Sequence, residues 1–457
     1  MAGEAPRFYT PAAWVNGAWA ADVVLCAGAG GAWSEIVCGA SAEVQAGARR
    51  LPGPVLPGLV NGHSHAFQRA IAGLAERGAG AQDDFWSWRD RMYSAANRIS
   101  PEQLEAIAAF LYSELLAAGY TQVCEFHYLH NAPDGRAYAD PAELSLALVR
   151  AARRTGIGLT LLPTLYMRSG FAARGLREDQ KRFASTPESV LGIADAVRKR
   201  AADVGHITSG VALHSLRAVD EAALLEVAAA AGKSMPVHIH IAEQQLEVDD
   251  CIARHGRRPV EWLLDRLPVN ERWNLVHATR CTPAELEGVR RKGASIVVCP
   301  TTEANLGDGV FDLARWMGHS GSWSIGSDSH VTRSWQEELR LLEYSQRLTL
   351  RQRNVAARSA WCESSAAALF QGALEGGPAA AGAPLAGLVP GQRADFVVID
   401  TGSPSLLGVP PGHVLDALVF SSPDAAFSDV FVAGRRVQPA GPELRAAFVV
   451  AMKALWF

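Results

Sequence analysis

Residues 55–65 read Val-Leu-Pro-Gly-Leu-Val-Asn-Gly-His-Ser-His, an apolar run that ends in two histidines. Its aliphatic and β-branched side chains are typical of a buried strand, and the polar residues begin where the run stops. His63 and His65 are two positions apart, so on an extended chain both side chains point to the same side and can reach one metal ion. The stretch therefore predicts a strand with a metal-binding carboxyl end.

Seven further runs of this kind follow, and helix-like segments separate them. The eight runs are 55–60, 121–126, 158–165, 207–213, 235–241, 273–277, 294–299 and 323–326. Capping residues mark three of the helices, because Thr186 and Thr282 each precede a proline and Asp220 precedes an Ala/Leu-rich stretch. This alternation favours an α/β fold, the closed (β/α)8 or TIM barrel. An open doubly wound sheet is the alternative, although the nucleotide-binding glycine fingerprints are missing after the first run.

The two ends of the chain differ from the middle in pattern. Short extended pieces broken by glycine lie at 8–15, 19–26, 33–38, 395–399, 417–420 and 430–432. Neither end has enough strands for a sheet of its own, so we expect both to form one small β-sandwich domain. The predicted division is a terminal domain of residues 1–55 plus 385–457 around a barrel of residues 56–384, with residues 376–391 as linker.

Composition excludes several classes of function. Of 457 residues, 49% are hydrophobic and 20% are charged, which is an ordinary globular balance. The net charge of −4 disfavours nucleic acid or an anionic membrane as the main partner, and no apolar run reaches the roughly 18 residues of a membrane helix. The seven cysteines are scattered and form no CxxC, so we expect reduced thiols and a cytoplasmic protein.

Polar residues stand at the ends of several predicted strands, where catalytic side chains collect in a barrel. The fifth run leads into His238, His240 and Glu243, the sixth ends in His277 and the eighth in Asp328. Each feature alone has an ordinary explanation, since strand-end histidines are often only hydrogen-bonded and a strand-end Asp is often a turn residue. Four such ends together indicate a catalytic site for Zn²⁺ or a similar divalent ion.

Strand geometry restricts this site. Only one of His238 and His240 can face the barrel lumen, because alternate side chains point to opposite faces. Positions three apart also face opposite ways, so His240 and Glu243 can reach one pocket only if the strand ends or bends between them.

The order of these features resembles the amidohydrolase superfamily over nearly the whole chain, including the split terminal domain. The resemblance implies that the metal ligands are His63, His65, His240 and Asp328. Binuclear members bridge two ions with a modified lysine on the fourth strand, but none of the five lysines of this chain lies within 207–219. One divalent ion per chain is therefore implied, with Zn²⁺ as the expected metal and Fe²⁺ as the alternative.

Five motifs narrow the resemblance to those members that hydrolyse N-formimidoyl-L-glutamate to N-formyl-L-glutamate and ammonia in histidine degradation. The motifs are residues 63–70, 85–89, 125–128, 213–217 and 238–244. The resemblance implies that Glu243 and Asp328 carry protons and that His277 orients water or stabilises developing charge. It also implies a homodimer, and contacts with a small dicarboxylate substrate from Gln68, Arg89, Tyr128, His214 and Arg217.

Arginine suits such a substrate, because its guanidinium group can grip a carboxylate with two hydrogen bonds. The alternative for Arg89 and Arg217 is a surface salt bridge, the commoner role of arginine. Two residues depart from the family pattern, since Asn131 and Arg280 stand where many relatives have histidine. Both follow strand ends, so we expect an effect on substrate positioning rather than loss of catalysis.

Other functions remain open at this point. A single-metal deaminase of a guanine-like or triazine-like heterocycle would use aromatic stacking and an amide group in place of paired arginines. A barrel without catalysis could serve as a binding protein, although the intact set of ligand and acid–base residues argues against it. An oxidoreductase of the Rossmann type lacks its glycine fingerprint.

Overall fold

The computed structural model describes residues 6–77, 85–358, 362–424, 426–438 and 441–457. Its strands are β1 (Arg7–Val15), β2 (Ala18–Ala27), β3 (Trp33–Val37), β4 (Arg49–Arg50), β5 (Val55–Pro57), β6 (Leu59–Ser64), β7 (Tyr120–His127), β8 (Gly158–Leu165), β9 (Ile207–Ser209), β10 (Val211–Leu213), β11 (Val237–Ile241), β12 (Trp273–His277), β13 (Ser295–Val298), β14 (Trp323–Ile325), β15 (Phe396–Ile399), β16 (Phe427–Val432) and β17 (Arg435–Val437).

The helices lie between these strands and after the last one. They are α1 (Ala42–Gln45), α2 (Phe85–Ala96), α3 (Pro101–Ala117), α4 (Glu143–Thr155), α5 (Pro187–Arg200), α6 (Glu221–Ala230), α7 (Gln245–His255), α8 (Pro259–Arg266), α9 (Pro283–Arg291), α10 (Pro300–Leu306), α11 (Leu313–Gly318), α12 (Trp335–Leu350), α13 (Ser365–Ala381), α14 (Val414–Phe420) and α15 (Pro442–Trp456). Short 3₁₀ helices lie at Ala66–Ala70, Glu178–Phe183, Ala356–Arg358 and Pro411–His413. Within the described residues, no helix combines the length and the apolar composition that crossing a bilayer requires.

Parallel strands β6 to β14 form a closed barrel, as predicted. β14 pairs with β6, and β10 pairs with both β8 and β11, so the sheet has no free edge. β9 and β10 are two halves of the fourth barrel strand, interrupted at Gly210, where a Cβ would lie 2.5 Å from the Pro236 carbonyl oxygen. The predicted helix starts are also confirmed, because the side chains of Thr186, Asp220 and Thr282 accept backbone N–H bonds at the starts of α5, α6 and α9.

The two ends of the chain share a second sheet. Its order is β17-β16-β15-β5-β1-β2-β3, with β4 beside β1. β5 belongs to this sheet, so the predicted run 55–60 is two strands, one in each sheet, separated at Gly58. A Cβ at Gly58 would lie 2.3 Å from the Thr121 side chain. The predicted fold class, a (β/α)8 barrel with a small β-sandwich domain from both ends, is confirmed, while the division at residues 55 and 385 stays a prediction.

Two expectations for the C-terminal part are wrong. Residues 417–420 were expected as a strand but belong to helix α14, whose buried positions Val414, Leu415, Leu418 and Val419 recur with helical spacing. Residues 376–381 were expected in a linker but form the last turns of α13.

The last turns of α13 pack against the amino ends of the barrel strands. The carbonyl oxygens of Ala379 and Ala380 accept bonds from the side chains of Asn274 and His238. Gly376 lies so close to Trp323 that a Cβ would be 1.8 Å from the Trp323 carbonyl oxygen. The small-residue composition of this stretch therefore reflects close packing rather than chain flexibility.

Candidate metal and active site

Three predicted metal ligands converge at the carboxyl end of the barrel. His63 lies in β6 and His65 directly follows this strand, and their Nε2 atoms lie 3.1 Å apart. His240, near the end of β11, brings its Nε2 to 3.0 Å from that of His63. All three side chains are buried. These nitrogens form a candidate metal-binding group of a kind suited to Zn²⁺.

Hydrogen bonds of the other ring nitrogens fix which nitrogen of each ring carries the proton. His65 Nδ1 donates to the Phe126 carbonyl oxygen at 2.8 Å, and His240 Nδ1 donates to the His214 carbonyl oxygen at 2.9 Å. Both Nε2 atoms are then lone-pair donors that face His63 Nε2, so a cation between them satisfies all three nitrogens at once. The donor set therefore fits a divalent metal ion.

Burial keeps these imidazoles neutral. It lowers the pKa of His65 to about 3 and holds the pKa values of His63 and His240 well below their usual range. Neutral imidazole is the form that binds a metal, so the rings are prepared for this role without losing protons at neutral pH.

Asp328 completes the group from the loop after β14. Its Oδ1 lies 3.4 Å from His65 Nε2 and 3.6 Å from His63 Nε2. The backbone holds it there, because Asp328 N–H donates to the His63 carbonyl and His65 N–H donates to the Asp328 carbonyl. Asp328 has a φ of +44°, an uncommon conformation for a non-glycine residue, which turns its carboxyl group towards the histidines. Burial raises its pKa to about 7.

A network around Glu125 holds the residues on either side of His65. Glu125 accepts bonds from the Ser64 hydroxyl at 2.8 Å, the Ala66 N–H at 2.5 Å and the Tyr112 hydroxyl at 3.3 Å. Because Ser64 and Ala66 flank His65, the network fixes the direction of that ring.

Glu243 and His240 reach the same cavity because β11 ends between them. Ala242 has a φ of +50° and reverses the direction of the chain directly after Ile241. The carboxylate of Glu247 accepts the N–H groups of Ala242 and Glu243 and so stabilises this turn. The break in the strand that the sequence required is confirmed. His238 faces away from the lumen towards α13, also as expected from strand geometry.

His277 lies between three carboxyl groups. Its Nε2 is 3.7 Å from Glu243 Oε1 and 3.8 Å from Asp328 Oδ2, and its Nδ1 is 3.3 Å from Glu303 Oε1. Burial works to lower the pKa of His277, but the carboxylates of Glu243 and Glu303 outweigh burial and raise it to about 10. At neutral pH the ring can therefore present a positive charge to the cavity.

A cavity opens above this group. It brings together the predicted site residues, apart from His63, which lies beneath it. Its lining is His65, Gln68, Trp88, Arg89, Met92, Tyr93, Tyr128, His214, Arg217, His240, Glu243, His277, Leu306 and Asp328. Gln68 Nε2 donates to the Tyr128 hydroxyl at 3.0 Å, which links two of the expected substrate contacts. The functional roles of these residues stay predictions.

Arg89 and Arg217 are nearly buried in this cavity, with 9% and 8% of their surfaces exposed. The guanidinium carbon of Arg89 lies 5.5 Å from the ring centre of Tyr93. Two buried cations beside a candidate metal site make the cavity suited to an anionic ligand.

Some residues near the site were missed. Met92 and Leu306 line the cavity from α2 and α10, and no pattern in a single sequence identifies them. Glu303 could have been suspected, because it is a polar residue four positions after the seventh run. The side chains of Phe85 and Trp86, in the motif 85–89, lie outside what the structure describes.

The two departures from the family pattern lie outside the cavity lining. Asn131 Nδ2 donates to the carbonyl oxygens of Arg182 and Ala184. Arg280 packs beside Gly309, and its guanidinium carbon would lie 3.2 Å from a Cβ there. Their effect on substrate positioning stays a prediction.

Comparisons with known proteins agree with this architecture. The model of the amidohydrolase family matches residues 55–437. A formimidoylglutamate deiminase from Pseudomonas aeruginosa is 48% identical over 419 residues, which cover 92% of this chain and 91% of that protein.

Solved structures of two related proteins have the same fold as this chain. The crystal structure of an amidohydrolase from Brucella melitensis has a TM-score of 0.91 and 41% identity, covering 99% of this chain and all of that one. An adenosine deaminase from Xanthomonas campestris, solved with bound zinc, shares the fold with a TM-score of 0.80 and 22% identity, over 99% of this chain and 98% of that one. The chain therefore belongs to the amidohydrolase family and, within it, to the family of the formimidoylglutamate deiminases.

Proposed function

We propose that the protein hydrolyses N-formimidoyl-L-glutamate to N-formyl-L-glutamate and ammonia, as a step of histidine degradation. The observation that carries this proposal is the pair of nearly buried guanidinium groups, Arg89 and Arg217, in the same cavity as the cluster of histidines and Asp328. The substrate has an amidine and two carboxylates, and the cavity offers partners for both kinds of group.

We assign one divalent ion per chain, Zn²⁺, to His63, His65, His240 and Asp328. Three neutral imidazoles and one carboxylate are a ligand set that Zn²⁺ accepts with a position left open. When bound, such an ion polarises water and makes it a nucleophile near neutral pH.

The residues of the chain then move the protons. Asp328 Oδ2 and His277 Nε2 are 3.8 Å apart, so a proton released from the attacking water reaches Asp328 beside a cationic imidazole. Glu243 transfers a proton to the terminal nitrogen of the amidine, and ammonia leaves as the carbon–nitrogen bond breaks. His277 stabilises the negative charge that develops on the oxygen at the tetrahedral carbon. The remaining hydroxyl group gives its proton to the same nitrogen and becomes the formyl carbonyl, so both protons of the attacking water leave in the ammonia.

The other end of the substrate binds away from the histidines. Arg89 and Arg217 pair with its carboxylates, and burial strengthens these pairs because little water competes. Gln68, Tyr128 and His214 supply further hydrogen bonds. Burial raises the pKa of Tyr128 well above its usual range, so its phenol stays a proton donor.

The proposal extends to location and assembly. The seven cysteines are all free thiols, which suits the reducing cytoplasm. A homodimer is proposed from the family resemblance, and light scattering on the purified protein tests it.

An assay of the purified protein tests the function directly. We expect equal amounts of ammonia and N-formylglutamate from N-formimidoyl-L-glutamate, in a preparation that holds about one zinc ion per chain. Guanine and an aminotriazine are the comparison substrates. Turnover of either heterocycle without turnover of formimidoylglutamate contradicts the proposed substrate and supports a heterocycle deaminase.

A further inference from the structure

Asp308 lies behind the candidate acid–base residue Glu243, on the loop between α10 and α11. Gly307 and Gly309 flank it with φ values of +71° and +128°, and its N–H donates to the Glu303 carbonyl at 2.9 Å. Its side chain is fully buried and is not part of the cavity lining. The loop therefore directs this carboxyl group into the barrel rather than towards solvent.

The two oxygens of Asp308 have different surroundings. Oδ1 accepts a bond from the side-chain amide of Gln244, the residue after Glu243. Oδ2 is buried and has no hydrogen-bond partner among the described residues. One carboxyl oxygen each of Asp308 and Glu243 and a ring nitrogen of His277 all lie within 4.8 Å of one another. A buried carboxyl oxygen without a donor, near a second carboxyl group, is unfavourable unless one of the two groups is protonated.

The charged groups around Asp308 come from four elements. Glu243 follows β11, His277 ends β12, Glu303 lies on α10 and Asp328 follows β14. Three of these four are acidic. Burial and the charge of Glu243 raise the pKa of Asp308, and His277 opposes them. Arg280 packs on the adjacent Gly309 but forms no ion pair with Asp308 in the described part of the chain.

We propose that Asp308 is a positioning residue for Glu243, and that the two neighbouring carboxyl groups share one proton, which gives the pair a single negative charge. The proposal rests on the proposed function for the acid–base role of Glu243. In the reaction the pair gains, by way of Asp328, the proton released from water and becomes neutral. It then gives a proton to the leaving nitrogen and returns to a single negative charge, so protons balance over one turnover.

The shared proton should affect how kcat depends on pH. In the pair the second ionisation would place two charges side by side, so the pair keeps its shared proton to higher pH than a single carboxyl group would. We therefore expect Asp308→Ala to move the alkaline limb of kcat to lower pH by about one unit or more. We also expect kcat to fall at least about tenfold, with KM within about threefold and metal content unchanged.

The variant Asp308→Asn distinguishes a role of Asp308 in holding the shared proton from a role in packing alone. Asparagine has the same shape and can donate an N–H to Glu243, so we expect it to recover part of the kcat lost in Asp308→Ala. Because it cannot hold a carboxyl proton, the share that the pair contributes to the infrared carbonyl band of protonated carboxylic acids at pH 7 should be missing. Asp265→Asn, on the exposed end of α8, is the control and should keep this band.

The infrared measurement needs no substrate, so it separates this proposal from the proposed function. If wild-type protein fails to convert formimidoylglutamate but Asp308→Asn loses this share of the band, the proposed function falls and the shared proton stands. An unchanged band in Asp308→Asn overturns the proposal. So does a wild-type pH profile in Asp308→Ala, or a loss of activity in both variants that follows a loss of metal.

Discussion

His240 and Glu243 line the same cavity although they are three residues apart, because the left-handed conformation of Ala242 ends β11 between them. A straight strand would send one of the two side chains away from the lumen. The positions of the candidate ligand and the candidate proton carrier thus depend on the strained backbone of Ala242, and Glu247 accepts the N–H groups of Ala242 and Glu243.

The first prediction concerns this turn. Ala242→Gly should keep kcat and change the free energy of unfolding by no more than about 0.5 kcal/mol, because glycine adopts positive φ readily. Ala242→Val should lower the free energy of unfolding by about 2 kcal/mol or more and lower kcat at least about tenfold, since a β-branched residue resists this conformation and Ala242 is fully buried. Denaturant unfolding and steady-state kinetics provide the two measurements. Equal behaviour of the two variants would show that the turn does not set the site geometry.

The second prediction uses the two histidines of β11 as a matched pair. His240→Asn should reduce bound zinc at least about tenfold, because it removes one of four ligands. His238→Asn should keep the metal, because His238 faces α13 and bonds to the Ala380 carbonyl. Elemental analysis after dialysis against a weak chelator measures both. Loss of metal from the His238 variant alone would show that His238, and not His240, faces the lumen and binds the metal.

The metal site shows how far sequence reasoning extends. The period of two in a strand was enough to place His63 and His65 on one side, and strand alternation was enough to separate His238 from His240. The position of Asp308 was not accessible in this way, because its loop returns to Glu243 through tertiary packing that no local pattern records. The helix at 417–420 was missed because four apolar residues fit either a strand or a buried helix.

Composition also misled in one place, and the third prediction follows from it. Glycine and alanine at 376–381 suggested a linker, but Gly376 marks the contact of α13 with Trp323. Gly376→Ala should lower the free energy of unfolding by about 2 kcal/mol or more, although alanine favours helices, because the methyl group has no space. Glu375→Ala, exposed on the same helix, should change it by less than about 0.5 kcal/mol. Thermal and urea unfolding test the pair, and a stabilised Gly376→Ala would refute the close contact.

The fourth prediction concerns acid stability and His130. Burial lowers the pKa of His130 to about 4, and its Nε2 donates to the Thr164 carbonyl at 2.8 Å. Between pH 6.5 and 4 the unfolded chain binds a proton here that the folded chain does not. The contribution of neutral His130 to stability is therefore complete above pH 6.5 and declines as the pH falls to 4, by up to about 3 kcal/mol.

His130→Gln should remove this part of the acid sensitivity, because glutamine can still donate to Thr164 and does not titrate. The check is the free energy of unfolding from urea titrations at pH 7 and pH 5, compared between wild type and variant. His319→Gln, at an exposed position, is the control and should leave the difference between the two pH values unchanged. A wild-type pH difference in the His130 variant would contradict the prediction.

The fifth prediction tests the central claim, that buried arginines hold the carboxylates of an amidine substrate beside the metal group. The measurement is kcat/KM of wild type and Arg217→Met on two substrates, N-formimidoyl-L-glutamate and an N-formimidoyl alkylamine that lacks both carboxylates. Arg198→Met, which removes only a surface ion pair with Asp195, is the matched control. Removing one partner of a buried charge pair should cost about 3 kcal/mol, or about two orders of magnitude. The account predicts this loss on formimidoylglutamate and less than about a threefold change on the alkylamine; equal loss on both substrates, or none on either, would contradict it.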